Sequence, residues 1–262
     1  MADPQNNNNP ILFRISGSKL ALFILPYPIV GFVACVVLSL LFNFEGSTAT
    51  HCEVPNYLPS ISEAIGGSTP QRYIWRICIA LHVAPRLMLA LMFYNYFDSF
   101  RVTYRPKIYN FLNTTASLLH ILENLALVLL TYVSSRENYE IHEKGFIAFV
   151  VTSILYMITQ CVLHRWSHVD KEWTQKEKKS YSYKKWLLAF NVASLAVSLY
   201  WFFRHHQRCE AGAYTAFAFF EYLVVASNIA FHGTGLLLEL GSVDLVAFSS
   251  RSESENGHCK SF

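Results

Sequence analysis

An apolar stretch that contains two arginines constrains the fold of this chain more than any other feature. Tyr73–Phe97 is about as long as a membrane-spanning helix, yet it contains Arg76, His82 and Arg86. An arginine near the bilayer centre costs on the order of 2.5–3.5 kcal/mol. His82 and Arg86 are four residues apart and share one helix face. That face must therefore meet polar groups on other helices or line a wet cavity.

The composition is that of a membrane protein. Hydrophobic residues make up 53% of the chain and charged residues only 15%, whereas soluble domains are about 25% charged. Six apolar runs are long enough to be membrane spans, at about 20–44, 73–97, 108–133, 145–166, 186–203 and 213–238. We expect an all-α polytopic membrane protein, a six-transmembrane-helix bundle over 19–240 with a sizeable luminal loop between its first two helices. Residues 1–18 are predicted to be a cytosolic tail and 241–262 a disordered cytosolic tail.

The positions of lysine and arginine predict the orientation of the bundle, because cytosolic loops carry the excess of these residues. With a cytosolic N-terminus, fourteen of the 21 lie on the cytosolic side and five on the other, and two, Arg76 and Arg86, lie within the membrane. The segment 168–185 contributes most to the excess. We therefore expect both termini in the cytosol.

Two cysteines fall in the predicted luminal loops, Cys52 in the first and Cys209 in the last. The luminal side of a secretory membrane is oxidising. A disulfide between them is therefore predicted, and two free thiols are the alternative.

Polar residues on three predicted spans fall at one depth. Counting about 1.5 Å per residue from the luminal ends of the spans places them about 12–15 Å into the membrane, with two of them one turn deeper. This predicted polar layer consists of His82, Arg86, His120, Glu123, Asn124 and Glu221. The structural alternative is that its members only pair, Glu123 with Arg86 and Glu221 with His82, and so join the helices.

A histidine beside a carboxylate can act as a general base toward a hydroxyl, and an arginine can hold a phosphate or a developing oxyanion. This chemistry is that of acyl transfer to a lipid. The predicted catalytic residues are His82, His120, Glu123 and Glu221, and the predicted substrate-binding residues are Arg86, Asn124 and Arg76. His164 and His232 are interpreted as interfacial histidines near the cytosolic helix ends. Haem ligation by the pairs His82/His120 and His164/His232 is a minor alternative. Neither a metal nor a cofactor is expected.

Six segments of the sequence are similar to one known family: THCEVPNYLPSISEAIGG (50–67), PQRYIWR (70–76), ENLALVLLTYVSS (123–135), IHEKGFIAF (141–149), EKKSYSYKK (177–185) and CEAGAYTAFAFFEYLVVASNIAFH (209–232). Over nearly all of residues 20–240 the chain resembles the Frag/DRAM/Sfk membrane family, in its GPI-anchor remodelling branch.

The resemblance implies a multi-pass protein of the Golgi membrane, with the endoplasmic reticulum as a second location. It implies reacylation of lyso-GPI at sn-2 with a saturated chain, after a separate factor has removed the original chain. The implied partners are GPI-anchored proteins, an acyl-donor lipid and other GPI-remodelling factors; no nucleic acid is expected. A non-catalytic subunit that binds or presents the lipid is the alternative function.

Overall fold

The computed structural model describes residues 11–169, 171–239 and 242–246. These contain nine helices and two strands, in the following order: β1 (Ile11–Ser16), α1 (Gly17–Ile24), α2 (Pro26–Phe42), α3 (Phe44–Thr48), α4 (Ile61–Gly66), α5 (Gln71–Asp98), α6 (Pro106–Tyr132), α7 (Tyr139–Trp166), α8 (Gln175–Arg208), α9 (Ala213–Leu238) and β2 (Ser242–Val246).

The six-span prediction is confirmed. Six helical segments are long and apolar enough to cross a membrane: Lys19–Phe42, Gln71–Asp98, Pro106–Tyr132, Tyr139–Trp166, Gln175–Arg208 and Ala213–Leu238. The fifth begins eleven residues before the predicted 186, because the basic segment before it continues the helix. Thr174 and Glu177 form a capping box there, with each side chain accepting from the other residue's backbone N–H.

The membrane helices pack side by side as a closed ring in which successive helices of the chain are neighbours. α2 packs on α5, α5 on α6, α6 on α7, α7 on α8 and α8 on α9, and α1 closes the ring against α9. The bundle has two ends, which we name for their features. The basic end carries the connectors 99–105 and 167–174, and the cap end carries residues 43–70.

Residues 43–70, which we call the cap segment, fold onto the bundle rather than extending away from it. Tyr222 donates its hydroxyl to the carbonyl of Pro59 at 2.5 Å, and Thr215 Oγ1 accepts from Tyr57 N–H at 2.8 Å. The carbonyl of Pro55 accepts from the N–H of Gly212 at 3.0 Å. Gly212 has a φ of 77°, a left-handed conformation that glycine adopts without strain.

The predicted Cys52–Cys209 disulfide is confirmed. It joins the cap segment to the C-cap residue of α8, with the two Cα atoms 5.3 Å apart. The bridge fixes the cap segment at the point where α8 turns back into α9.

A two-stranded antiparallel ribbon lies outside the six-helix pattern. β1 pairs with β2, with Arg14 opposite Asp244 and Ile15 opposite Val243. The expected disorder of 241–262 is therefore wrong for Ser242–Val246, and β1 lies within the predicted N-terminal tail. Isoleucine and valine favour strands, but each strand needs a partner from the far end of the chain, which neither tail alone indicates. Gly17 and Ser18 of the predicted N-terminal tail begin α1, and residues 1–10, 241 and 247–262 of the two tails lie outside the described residues.

Candidate functional site

An ion pair between α5 and α6 forms the centre of the polar layer. Arg86 Nη2 lies 2.8 Å from Glu123 Oε1, and the exposed fractions of the two side chains are 5% and 0%. Both side chains were expected at this level. A buried carboxylate beside a buried guanidinium satisfies the requirement that neither charge faces lipid.

His232 on α9 also contacts this pair. Its Nε2 lies 2.6 Å from Arg86 Nη2 and 3.2 Å from Glu123 Oε1. Arginine has only N–H donors, so Nε2 of His232 is the acceptor in the shorter contact. Asn228, one helical turn earlier, donates to Glu123 Oε1 at 2.9 Å and to Ser153 Oγ at 2.6 Å. The cluster therefore joins α5, α6, α7 and α9.

Aromatic rings enclose the cluster on the α7 side. The Tyr156 ring is nearly parallel to the His232 ring, at 10° and with centroids 5.0 Å apart, and its centroid lies 4.7 Å from that of His120. The His120 and His232 rings stack at 4.9 Å. His120 Nε2 is 3.5 Å from Arg86 Nε, at the limit of a hydrogen bond. The Tyr156 ring and the two imidazoles thus pack against one another beside the guanidinium of Arg86.

His82 lies beside the cluster and faces a crevice. Its Nδ1 lies 3.0 Å from the carbonyl of Ile24. A carbonyl only accepts, so Nδ1 carries the hydrogen and Nε2 is the basic nitrogen. Among the described residues, neither Nε2 of His82 nor Nη1 of Arg86 has a hydrogen-bond partner, and both residues line the crevice.

The crevice opens between α1, α5 and α9. His82, Arg86 and His232 form its polar surface, and the remaining lining is aliphatic: Ile24, Leu25, Leu89, Ile229 and Leu236. A polar floor with aliphatic walls suits a molecule with a reactive polar group and a hydrocarbon chain.

Besides His82, three of the predicted site residues do not join the cluster. Glu221 Oε2 accepts the backbone N–H of Ile61, the first residue of α4, at 2.9 Å. The expected Glu221–His82 pair is therefore not formed. Arg76 Nη2 lies 2.9 Å from Glu137 Oε2 at the cap end. Asn124 turns back along its own helix and donates to the carbonyl of His120 at 2.8 Å.

Predicting His164 and His232 as one interfacial pair was wrong. His232 belongs to the Arg86 cluster, whereas His164 belongs to a second buried cluster at the basic end. There Glu239 Oε1 lies 2.5 Å from Lys184 Nζ and 3.2 Å from His164 Nδ1. The two histidines therefore cannot act as a ligand pair, which removes half of the haem alternative.

The geometry of the first cluster also bears on metal binding. Side-chain ligand atoms of His120, Glu123 and His232 lie within 4.8 Å of one another, a spacing that suits a metal ion. Arg86 already supplies the positive charge at this position, since one of its nitrogens contacts both Glu123 and His232. A divalent cation would have to displace the guanidinium, so these residues form an arginine-centred cluster instead.

Sequence reasoning missed Ser153 and Tyr156 on α7. These two polar side chains are three residues apart on the same helix, so they share a face. That spacing is the available signal for their place in the cluster. Single hydroxyls are common in membrane helices, which makes the signal weak.

Comparison with known proteins supports one family. A sequence profile of the Frag1/DRAM/Sfk1/Cwh43P N-terminal domain matches residues 16–237. A Xenopus tropicalis protein named "Acyltransferase PGAP2" is 45% identical over 223 residues, or 85% of this chain and 87% of that protein. "Post-GPI attachment to proteins factor 2" of Drosophila melanogaster is 41% identical over 234 residues, or 89% of this chain and 88% of that protein.

A more distant relative is "Protein cwh43" of Schizosaccharomyces pombe. It is 25% identical over 175 residues, which is 67% of this chain and 16% of that protein. No solved structure matches. From the profile match and the two relatives above 40% identity, the chain belongs to the Frag1/DRAM/Sfk1/Cwh43 family of multi-pass membrane proteins.

Proposed function

We propose that this protein remodels the lipid of GPI anchors, by transferring a saturated acyl chain to the sn-2 position of lyso-GPI on GPI-anchored proteins. The crevice carries the proposal, because His82, whose basic nitrogen has no partner among the described residues, and Arg86 line one largely aliphatic cleft. The names of the relatives support it, since one is called an acyltransferase and others post-GPI attachment factors.

In the proposed reaction, His82 Nε2 takes the proton of the sn-2 hydroxyl while the hydroxyl oxygen attacks the acyl carbonyl carbon of the donor. Arg86 Nη1 donates to the carbonyl oxygen as that oxygen becomes negative. The intermediate then expels the donor's leaving oxygen or sulfur, which takes the proton from His82. One ester forms as the donor ester or thioester breaks, and His82 returns to its starting state.

Glu123 and His232 are positioning residues in this proposal. Both contact Arg86 Nη2, and through it they fix the direction in which Nη1 points. His120 contacts the far side of the same guanidinium. Glu221, Asn124 and Arg76 are assigned no step, because their contacts lead to the cap segment, to the helix backbone and to the cap end.

A non-catalytic role in binding or presenting the lipid is the second candidate. The narrowness of the crevice favours it, since the space there holds at most about one water molecule before the walls move. A catalyst on this fold needs α1 to move away from α9, whereas a presenting subunit needs only a surface for the lipid.

Reconstitution tests the two candidates directly. The full chain is purified, placed in liposomes with lyso-GPI, and supplied with a labelled phospholipid or an acyl thioester as donor. We expect acyl transfer to lyso-GPI by the protein alone, and a loss of about 10²–10⁴ in rate for His82→Gln. His206→Gln, which changes an exposed histidine at the cap end, is the matched control.

The outcomes separate the candidates. Transfer by wild type that persists in His82→Gln, at equal amounts of folded protein, removes His82 from the chemistry. If the protein binds lyso-GPI but transfers no acyl chain from any donor, the result supports the non-catalytic role in binding or presenting the lipid.

The proposal places the protein in the Golgi membrane with both termini in the cytosol. The basic residues at one end of the bundle support this orientation, and the disulfide at the opposite end fits an oxidising lumen. An epitope tag after Phe262 should be reached by antibody when only the plasma membrane is permeabilised. A tag that the antibody cannot reach would show that the C-terminus lies on the luminal side and would contradict the proposed orientation.

A further inference from the structure

A second opening lies at the basic end, away from the crevice. It is a groove between the last turns of α7 and the first turns of α8. Cys161, Val162 and Trp166 form its apolar wall, and Arg165 and Lys185 line the same groove. None of these residues takes part in the site described above.

The two cations of the groove have no counter-charge in contact with them among the described residues. Arg165 and Lys185 are both exposed, and neither forms an ion pair or a hydrogen bond with any described residue. The Lys185 ammonium lies over the Tyr181 ring, whose centroid is 4.8 Å from Nζ. Lys184 is the contrast: it is buried and its Nζ lies 2.5 Å from Glu239 Oε1.

The groove has the side chains that are typical of the membrane interface, where headgroups give way to hydrocarbon. Trp166 Nε1 donates to the carbonyl of Tyr104 at 3.2 Å, which fixes an aromatic rim of the type found at membrane interfaces. From this rim the apolar face of α7 continues toward the membrane centre. Val162, Ile158 and Leu155 there have exposed fractions of 42%, 43% and 46%.

We propose that this groove binds one anionic phospholipid from the leaflet at the basic end. The phosphate and acidic headgroup lie between Arg165 and Lys185, and an acyl chain follows Cys161 and Val162 along α7. Basic pockets between membrane helices suit acidic lipid headgroups, and each nearby lysine or arginine strengthens such binding. The orientation proposed above makes this the cytosolic leaflet.

The apolar wall is what selects a lipid over a soluble anion. A free phosphate or a released headgroup would use the two cations but gain nothing from Val162 and Trp166. A zwitterionic phospholipid would use the wall, but its own positive group would oppose the cations. A lipid with net negative charge uses both.

Native mass spectrometry of the purified full chain tests the proposal. The protein is titrated with phosphatidylserine and with phosphatidylcholine of the same acyl chains. We expect tighter binding of phosphatidylserine, and roughly 10- to 30-fold weaker binding of it to the double variant Arg165→Gln/Lys185→Gln. The control is Lys178→Gln/Lys179→Gln, which removes the same charge from exposed positions of α8 that do not line the groove.

A second variant tests the apolar wall without changing charge. Val162→Trp fills the groove from its membrane face and should also weaken phosphatidylserine binding, while glycerophosphoserine should not compete. Formation of the Cys52–Cys209 disulfide and a single size-exclusion peak report that each variant is folded. Equal affinity for the two lipids, an equal loss in the Lys178/Lys179 control, or competition by the free headgroup would each overturn the proposal.

Discussion

Arg86 on α5 and Glu123 on α6 form an almost completely buried ion pair, with 2.8 Å between Nη2 and Oε1. Among the described residues, Glu123 is the one carboxylate in contact with Arg86. Arg86 and Glu123 therefore compensate each other's charge, and neither could remain buried as a charged group without its partner.

Glu123→Gln should destabilise the protein as well as inactivate it. The substitution leaves the Arg86 charge buried without a counter-charge, a change that typically costs about 3–5 kcal/mol. We expect a clear fall in the thermal unfolding temperature in detergent, partly restored in Glu123→Gln/Arg86→Gln, where both charges are gone. Glu143→Gln, an exposed position of α7, is the control. A Glu123→Gln protein of normal stability would show that Arg86 has another partner.

His232→Phe should be more harmful than His120→Phe. Both rings pack against Tyr156, and phenylalanine preserves that packing, but the Arg86 contact is 2.6 Å for His232 and 3.5 Å for His120. In His232→Phe, loss of the shorter hydrogen bond should lower the free energy of unfolding by about 1–3 kcal/mol. In His120→Phe, loss of the longer contact should lower it by less than about 1 kcal/mol. Parallel denaturation curves would measure the difference, and equal curves would contradict it.

Glu221 should hold the cap segment rather than take part in the chemistry. Its carboxylate accepts the Ile61 N–H at the start of α4. In Glu221→Ala we expect faster hydrogen exchange across Ile61–Gly66, whereas Glu221→Gln keeps an acceptor and should stay near wild type. Phe219→Ala, an exposed position of the same helix, serves as the control. Unchanged exchange in Glu221→Ala would mean that the other cap contacts suffice.

The disulfide should stabilise the cap end. Removing it with Cys52→Ser/Cys209→Ser frees a long loop in the unfolded chain and should cost roughly 2–4 kcal/mol. Thermal unfolding of the variant measures this, and alkylation of the native wild type under non-reducing conditions should leave both cysteines unmodified. Ready alkylation of both would contradict the bridge.

The stabilising effect of Glu137 should be constant through neutral and mildly acidic pH. Hydrogen bonds from the backbone N–H and the hydroxyl of Ser134, and one from Arg76, lower its pKa from 4.5 to about 2. A carboxyl group whose pKa is lowered by folding stabilises the folded protein at pH values above its pKa in the unfolded chain. That stabilisation is lost as the pH falls from about 4.5 toward 2. Glu137→Gln should therefore reduce stability equally at pH 7.5 and 5.5, and by less at pH 3.5. A difference that grows below pH 4.5 would refute this.

Helix spacing was enough to predict that Arg86, His120 and Glu123 meet, because α5 and α6 are antiparallel neighbours with comparable starting levels. The same counting failed for His232, which is nineteen residues from the start of α9. Counting depth along the axis ignores side-chain length and helix tilt, and the arginine side chain can reach about one turn, 5.4 Å, along the bundle.

Glu221 was assigned to the wrong partners for a different reason. The sequence shows that 45–72 is irregular and rich in Gly, Pro and Ser, but not that it returns to the bundle and brings the Ile61 N–H to α9. Contacts made by a loop depend on its full path, which no local pattern encodes. The start of α8, by contrast, is indicated by the sequence itself, because Thr174 and Glu177 have the spacing of a capping box.

The Cys52–Cys209 bond turns most of this protein into a macrocycle. The residues it joins are 157 positions apart, and α5, α6, α7 and α8 all lie within the closed loop, with α2 before it and α9 after it. A chain cut once inside the loop, for example by a protease at an engineered site in 171–174, would remain a single covalent molecule until the bridge is reduced. Four membrane helices are thus connected by two independent routes, so no single peptide bond between them is required to keep them together.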